Sequence, residues 1–236
     1  MTASSSERPI GPPVDSRPVP RPERVTMEGR FVRLEPLDAA KHAPALWSAV
    51  KGADDVWDYL FDAPYADEAA FAANLAQKAA STDPLFFAIV DEASGAAVGY
   101  ATFLRIEPAH RVIEVGNILF TPALQRTPGA TEAMYLMAKR AFDLGYRRYE
   151  WKCNALNAPS RRAAERLGYT FEGVFRQHMI VKGRNRDTAW FAMLDTEWPA
   201  IRAGFEAWLA PENFGADGRQ KRPLAELRRA ASARPD

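Results

Sequence analysis

Apolar residues along this chain fall into two periods. Spacings of two and short unbroken runs predict strands; spacings of three and four predict helices. Phe31-Val32-Arg33-Leu34-Glu35 reads as a strand that Pro36 ends. Asp38 stands where an N-cap belongs, before an Ala-rich helix reaching about Val50. Asp67 caps a second helix with Phe71, Leu75 and Ala79 on one stripe. Leu85 to Val90 is a compact apolar strand, and the turn from Asp91 to Gly95 joins it to a strand from Ala97 to Ile106. Arg111 to Phe120 reads as the next strand. Thr127-Pro128 then combines an N-cap with proline at the first helical position, and Gly145 marks the stop. Tyr146 to Cys153 is a strand, and Asn157 to Leu167 a helix stopped by Gly168. Tyr169 to Val181 and Asp187 to Leu194 are strands around a basic turn, Lys182 to Arg186. Glu197 to Leu209 is an amphipathic helix, and Leu224 and Leu227 suit a short helix in a charged tail.

Strands that meander first and later alternate with helices argue for a mixed sheet with helices packed on it. Residues 1–27 are rich in Pro, Ser and Arg and read as a disordered arm without a signal peptide's apolar region. The folded domain is expected over 28–198, with a helix and charged tail over 199–236.

Composition narrows the chemistry. The 236 residues hold 31 Lys and Arg against 30 Asp and Glu, and a net charge of +1 offers no footprint for coating nucleic acid. No apolar run approaches the roughly 20 residues of a membrane span. A single cysteine excludes an internal disulfide and a Cys-rich metal site, and three scattered His without HExxH leave little for a metal. A cytoplasmic protein, monomer or homodimer, with neither nucleic-acid nor membrane partner is the expectation.

Two stretches carry chemistry. In Asn117 to Ala133 a strand ends, a polar loop with Gln125, Arg126 and Thr127 follows, and a helix opens on the small residues Gly129, Ala130 and Thr131. A helix start with free N–H groups is a ready phosphate site, and an ordinary capped helix reads the same way. In Asn154 to Gly173 the order strand, polar loop, helix and glycine repeats, with Asn157 a possible cap and Ser160 in the first turn.

Together these stretches resemble the GCN5-related N-acetyltransferase (GNAT) family, its RimJ/RimL-like branch in particular. The family's phosphate motif [Q/R]xxGx[G/A] is met at Gln125 and Ala130, with Pro128 in place of the central glycine. Its later signature is met at Asn157, Ser160, Arg162, Glu165, Gly168, Tyr169, Glu172 and Gly173. The resemblance implies a single α+β domain whose central sheet of about six to seven strands is mixed, mostly antiparallel and twisted. It implies acetyl-CoA as co-substrate, no metal, and a small-molecule or peptide amine as acceptor. Such an amine must lose a proton before attack, since an aliphatic ammonium titrates near ~10.

Within that resemblance, Glu114 is the candidate proton acceptor, the other reading being a pair with Arg111 or Arg105. The strand of Glu114 and its neighbour are expected to splay, with backbone groups around Ile118, Leu119 and Phe120 meeting the thioester arm. Arg126 suits a pyrophosphate, and Asn157 the pantetheine arm. Ser160 occupies the place of the tyrosine that many family members use to protonate the leaving thiolate; a plain helix-start residue is the other reading. Asp55, Trp57 and Tyr59 border the expected acceptor pocket, where acidic and aromatic groups suit a cation. A surface charge cluster with core aromatics explains them too. His178 and Cys153 read as packing residues, and the basic turn as either a solvated hairpin or a contact for an anionic substrate. The alternative activity is a catalytically weak acyl-CoA-binding or regulatory module of the same fold.

Overall fold

The computed structural model of the chain describes residues 10–233. Seven strands form one sheet: β1 (Val32–Pro36), β2 (Leu85–Asp91), β3 (Ala97–Glu107), β4 (Val112–Phe120), β5 (Arg148–Asn154), β6 (Thr170–Val181) and β7 (Arg184–Leu194). Their order is β1-β2-β3-β4-β5-β7-β6, and every neighbouring pair is antiparallel except β4 with β5. This is the mixed, mostly antiparallel sheet that was expected. The six α-helices among the described residues are α1 (Ala39–Val50), α2 (Glu68–Ala80), α3 (Pro128–Asp143), α4 (Ala158–Leu167), α5 (Trp198–Leu209) and α6 (Leu224–Ser232).

The capping residues read from the sequence do their work locally. Asp38 accepts from the amides of Ala40 and Lys41, Asp67 from Ala70, and Thr127 from Ala130. Gly168 ends α4 in the left-handed region, where a side chain is strained. The turn between β6 and β7 differs from expectation. It is two residues, Lys182 and Gly183, both with positive φ, as in a type I′ hairpin. Arg184, Asn185 and Arg186 are therefore strand residues, because a type I′ turn matches strand twist in two residues.

One face of the sheet packs against α3 and the C-terminal helices through Phe87, Phe103, Tyr149 and Phe191. Phe205 and Trp208 of α5 and Leu224 and Leu227 of α6 join this core, so position 198 marks no boundary in the packing. The other face is covered by α1 and α2 only at the β1–β3 end, through Leu46, Phe71, Leu75, Phe86 and Tyr100.

Where a disordered arm was expected, residues 1–9 lie outside the described residues, and from Asp15 onward the chain lies against the body. Asp15 pairs with Arg111, the Val19 amide bonds Pro108 O, and Arg21 donates to Ile106 O and Asp83. Arginines with long-range backbone acceptors, together with the buried Pro22, hold this extended stretch in place. Among the described residues no helix is long and apolar enough to cross a membrane, and no three His, Cys, Asp or Glu side chains gather as a metal site.

Candidate active site

β4 is paired with β3 out to Phe120, opposite Gly99, but with β5 only from Val112 to Val115. The register with β3 slips between Tyr100 and Thr102, and Asn117 there has a φ of 45°. This is a β-bulge, with asparagine in a conformation it tolerates better than most side chains. The extra residue turns the end of β4 away, so beyond Val115 and Trp151 the two parallel strands part. A cleft opens between them, part of a cavity of about 1110 Å³ whose lining includes Ile118, Phe120, Trp151, Asn157 and Ser160.

At the mouth of the cleft the loop after β4 enters α3. Gln125, Arg126, Thr127, Ala130 and Thr131 line the cavity. Arg126 is exposed, with φ 61°, and the Gln125 side chain donates to Phe120 O. Thr127 Oγ1 takes the Ala130 amide at 3.3 Å, and Pro128 has no amide to offer. The amides of Arg126 and Gly129 meet no acceptor among the described residues. Gly129 itself is buried behind the loop, and a Cβ there would lie 2.8 Å from Val32 Cγ1. Leu119 too is turned away, its side chain packed beside Tyr100 in the core under α1 and α2, so only its backbone is available to the cleft.

Glu114 sits on the paired part of β4, its side chain 4% exposed. Its Oε2 accepts from Arg105 Nη1 at 2.6 Å and from Lys152 Nζ at 2.8 Å. The predicted pairing with Arg105 thus forms, and Arg111 is engaged elsewhere, with Asp15 and Arg17 O. Oε1 of Glu114 meets no donor among the described residues, and the residue lines the cavity. Lys152 also bonds Glu150 at 2.7 Å and lies 3.9 Å from the Trp190 ring centroid. Arg148 joins Glu150 to Glu172. Charges thus alternate across the sheet: Arg105, Glu114, Lys152, Glu150, Arg148, Glu172. Burial acts to raise the Glu150 carboxyl, but the hydrogen bonds from Lys152 and Arg148 win and hold it below the ordinary carboxylate value.

Ser160 Oγ accepts the Trp151 indole N–H at 3.0 Å, and its own hydroxyl lies within hydrogen-bonding reach of the Cys153 sulfur. Burial pushes the neighbouring Cys153 thiol up, as suits a packing residue rather than a nucleophile. Asn157 uses Oδ1 to cap α4 through the Ser160 amide, so the capping reading holds and its side-chain NH₂ group remains unengaged among the described residues.

Tyr59 and Asp55 line the cavity from the segment after α1, and Tyr59 Oη bonds Leu156 O across it. Trp57 does not reach the main cavity. Its ring is buried against Tyr65 and Phe71, because alternate faces of its short 3-10 turn point to core and to solvent. Only its carbonyl faces the later strands, accepting from Lys182 Nζ at 2.6 Å.

Residues 32–170 match the acetyltransferase (GNAT) domain family. The chain belongs to the GNAT family. A GCN5-related N-acetyltransferase from Brucella melitensis is 54% identical, covering 91% of this chain and 99% of its own with a TM-score of 0.89. A GNAT-family protein from Chromobacterium violaceum is 42% identical over 83% of this chain and all of its own, at TM-score 0.76. The microcin C7 self-immunity acetyltransferase MccE, whose structure holds acetyl-CoA and AMP, shares the fold at 19% identity and TM-score 0.62, covering 70% of this chain and 93% of its own. No curated protein matches the chain. Acetyl transfer from acetyl-CoA is the chemistry of the GNAT family, and the open α3 amides beside an unpaired β4 edge suit a diphosphate joined to an extended thioester arm.

Of the charged face, sequence reasoning reaches Arg105, Glu114 and Glu172 but not Arg148, Glu150 and Lys152. Their signal was there: Arg148-Tyr149-Glu150-Trp151-Lys152-Cys153 alternates charged and apolar residues, the pattern of a strand with one polar face.

Proposed function

We propose that this GNAT protein is an N-acetyltransferase of RimJ/RimL-like type, moving the acetyl group of acetyl-CoA directly onto a primary amine, whether a protein N-terminus or a small molecule. The observation that carries the reading is the parting of β4 from β5 after Val115, next to helix amides with no other acceptor. Bound there, acetyl-CoA supplies an acyl group activated as a thioester. The amides of Arg126 and Gly129 and the Arg126 side chain hold its diphosphate, with Ala130 and Thr131 lining the site; the freed edge at Ile118 to Phe120 and the Asn157 side chain hold its arm. Holding amine and thioester together supplies much of the acceleration. Glu114 takes the ammonium proton on Oε1, the oxygen without a donor, while Arg105 and Lys152 fix the carboxylate through Oε2. Ser160, with Trp151 on its acceptor side, turns its hydroxyl from Cys153 toward the departing sulfur.

The reading is tested by following thiol release from acetyl-CoA with a panel of primary amines, with mass spectrometry of the products. Amine-dependent release with a new amide supports it, and acetyl-CoA binding without release for any amine overturns it. Pro128 in the phosphate loop and Ser160 in a tyrosine's place favour a second reading, an acyl-CoA-binding module with weak chemistry. Calorimetric titration with CoA, set beside the turnover assay, tells the two apart.

A further inference from the structure

Arg186 faces the cleft from the opposite side to α3. The two-residue turn at Lys182-Gly183 places it three positions into the β6–β7 hairpin, opposite Met179. It shares one face of β7 with Thr188 and Trp190, which stand opposite Asn154 and Lys152. Arg186 thus belongs to the charged face of the sheet. It is 8% exposed, and it lines both the main cavity and a smaller adjoining one of about 620 Å³ shared with Asp55 and Tyr59.

Every other strongly buried cation of this face is paired. Lys152 has Glu114 and Glu150. Arg186 has nothing of the kind among the described residues: no carboxylate pairs with it, no carbonyl accepts from it, and its buried Nε–H has no partner. The Phe61 ring lies 5.2 Å from the guanidinium carbon. Burial pushes the guanidinium down from the ordinary arginine value, and Cys153 and Glu114 only partly oppose this. A nearly buried guanidinium with no anion beside it is costly and rare. Its flat fork of donors matches a carboxylate or phosphate in two parallel hydrogen bonds.

The geometry points to Arg186 as the anchor for an oxyanion carried by the acceptor. The amine that receives the acetyl group is then a zwitterionic molecule, an amino-carboxylate or an amino-phosphate. Its ammonium lies toward Glu114 and Asp55, and its oxyanion pairs with Arg186. This inference rests on the acyl-transfer reading for the identity of the ligand, but the anion site itself does not.

The test uses the full chain and matched acceptors. Amino acids are compared with their carboxamides, and O-phosphoethanolamine with ethanolamine. The oxyanion-bearing member of a pair is expected to exceed its neutral analogue by roughly tenfold or more in kcat/KM, the size of one charge-assisted interaction. In R186Q that preference collapses, with the loss in the acceptor KM, and R186K restores part of it. Which pair shows the larger preference decides between carboxylate and phosphate. Equal use of charged and neutral acceptors by the wild type, or a preference that survives in R186Q, overturns the proposal. Calorimetric titration of wild type and R186Q with O-phosphoethanolamine and with glycine runs alongside. If no amine is turned over yet one of these binds in an Arg186-dependent way, acyl transfer fails and the anion site stands; equal binding or none removes the anion site. A structural role is checked with R186M, which should melt no lower than wild type, since an apolar residue replaces an unpaired buried charge. A lower melting temperature would assign Arg186 to the fold instead.

Discussion

The same face of one sheet is built in two opposite ways. At the β1–β3 end Phe86, Ala88, Val90 and Tyr100 meet Leu46, Phe71 and Leu75 of α1 and α2, and the surface is closed and apolar. At the β4–β7 end no α-helix among the described residues packs on it as α1 and α2 do, and Glu114, Lys152, Glu150 and Arg186 stand on the same pleat. The backbone ladder continues through both ends, so pleat geometry does not separate them. What separates them is cover. Apolar side chains must be covered, whereas side chains that pair with one another leave a strand face free for a ligand. The bulge at Asn117 sits at the seam and opens the sheet where cover stops.

If the covered half is purely structural, Phe71→Ala should cost about 3–5 kcal/mol of stability, read by urea unfolding, with any surviving folded fraction keeping its CoA affinity. A large change in that affinity would show that the halves are not separable. In the open half Glu114→Gln should lower turnover by roughly a hundredfold with CoA affinity nearly intact. A wild-type rate and pH profile in that variant would remove Glu114 from the chemistry. Lys152→Met should cost about 2–3 kcal/mol, toward the low end for a broken buried pair because Arg105 and Arg148 remain. The same variant should change the acid response. The folded Glu150 carboxyl lies below its ordinary 4.5, so its stabilisation is complete above that pH and is lost as pH falls below it. Without Lys152 this acid loss should shrink, which urea midpoints measured between neutral and acid pH would detect. Least in size, Arg126→Ala should weaken CoA binding roughly three- to fivefold, more at low salt, as fits an exposed charge. An unchanged affinity would leave the phosphate to the α3 amides alone.

Legibility followed range. The caps Asp38, Asp67 and Thr127 and the stop at Gly168 act over three or four residues, and each was readable. Much of the later signature also proves architectural. Tyr169 packs against Trp151, Glu172 pairs with Arg148, and Gly173 has φ 153° where the β6 register slips. Trp57 misled because an aromatic beside acidic residues looks the same whether it faces ligand or core. The turn at Lys182 to Arg186 misled because charge suggested solvent, while the hairpin geometry needed only two residues and drew Arg186 inward.

By itself, then, the sequence determined the order of the elements, their helix caps, the family, and the helix start that suits a phosphate, since these depend on neighbours along the chain. The tertiary structure alone decided that β4 leaves β5 after Val115, that Glu114 lies between two cations, and that Arg186 meets no carboxylate or carbonyl among the described residues. Those are relations among strands up to about 80 residues apart, and register between distant segments is set by packing across the whole sheet rather than by local preference.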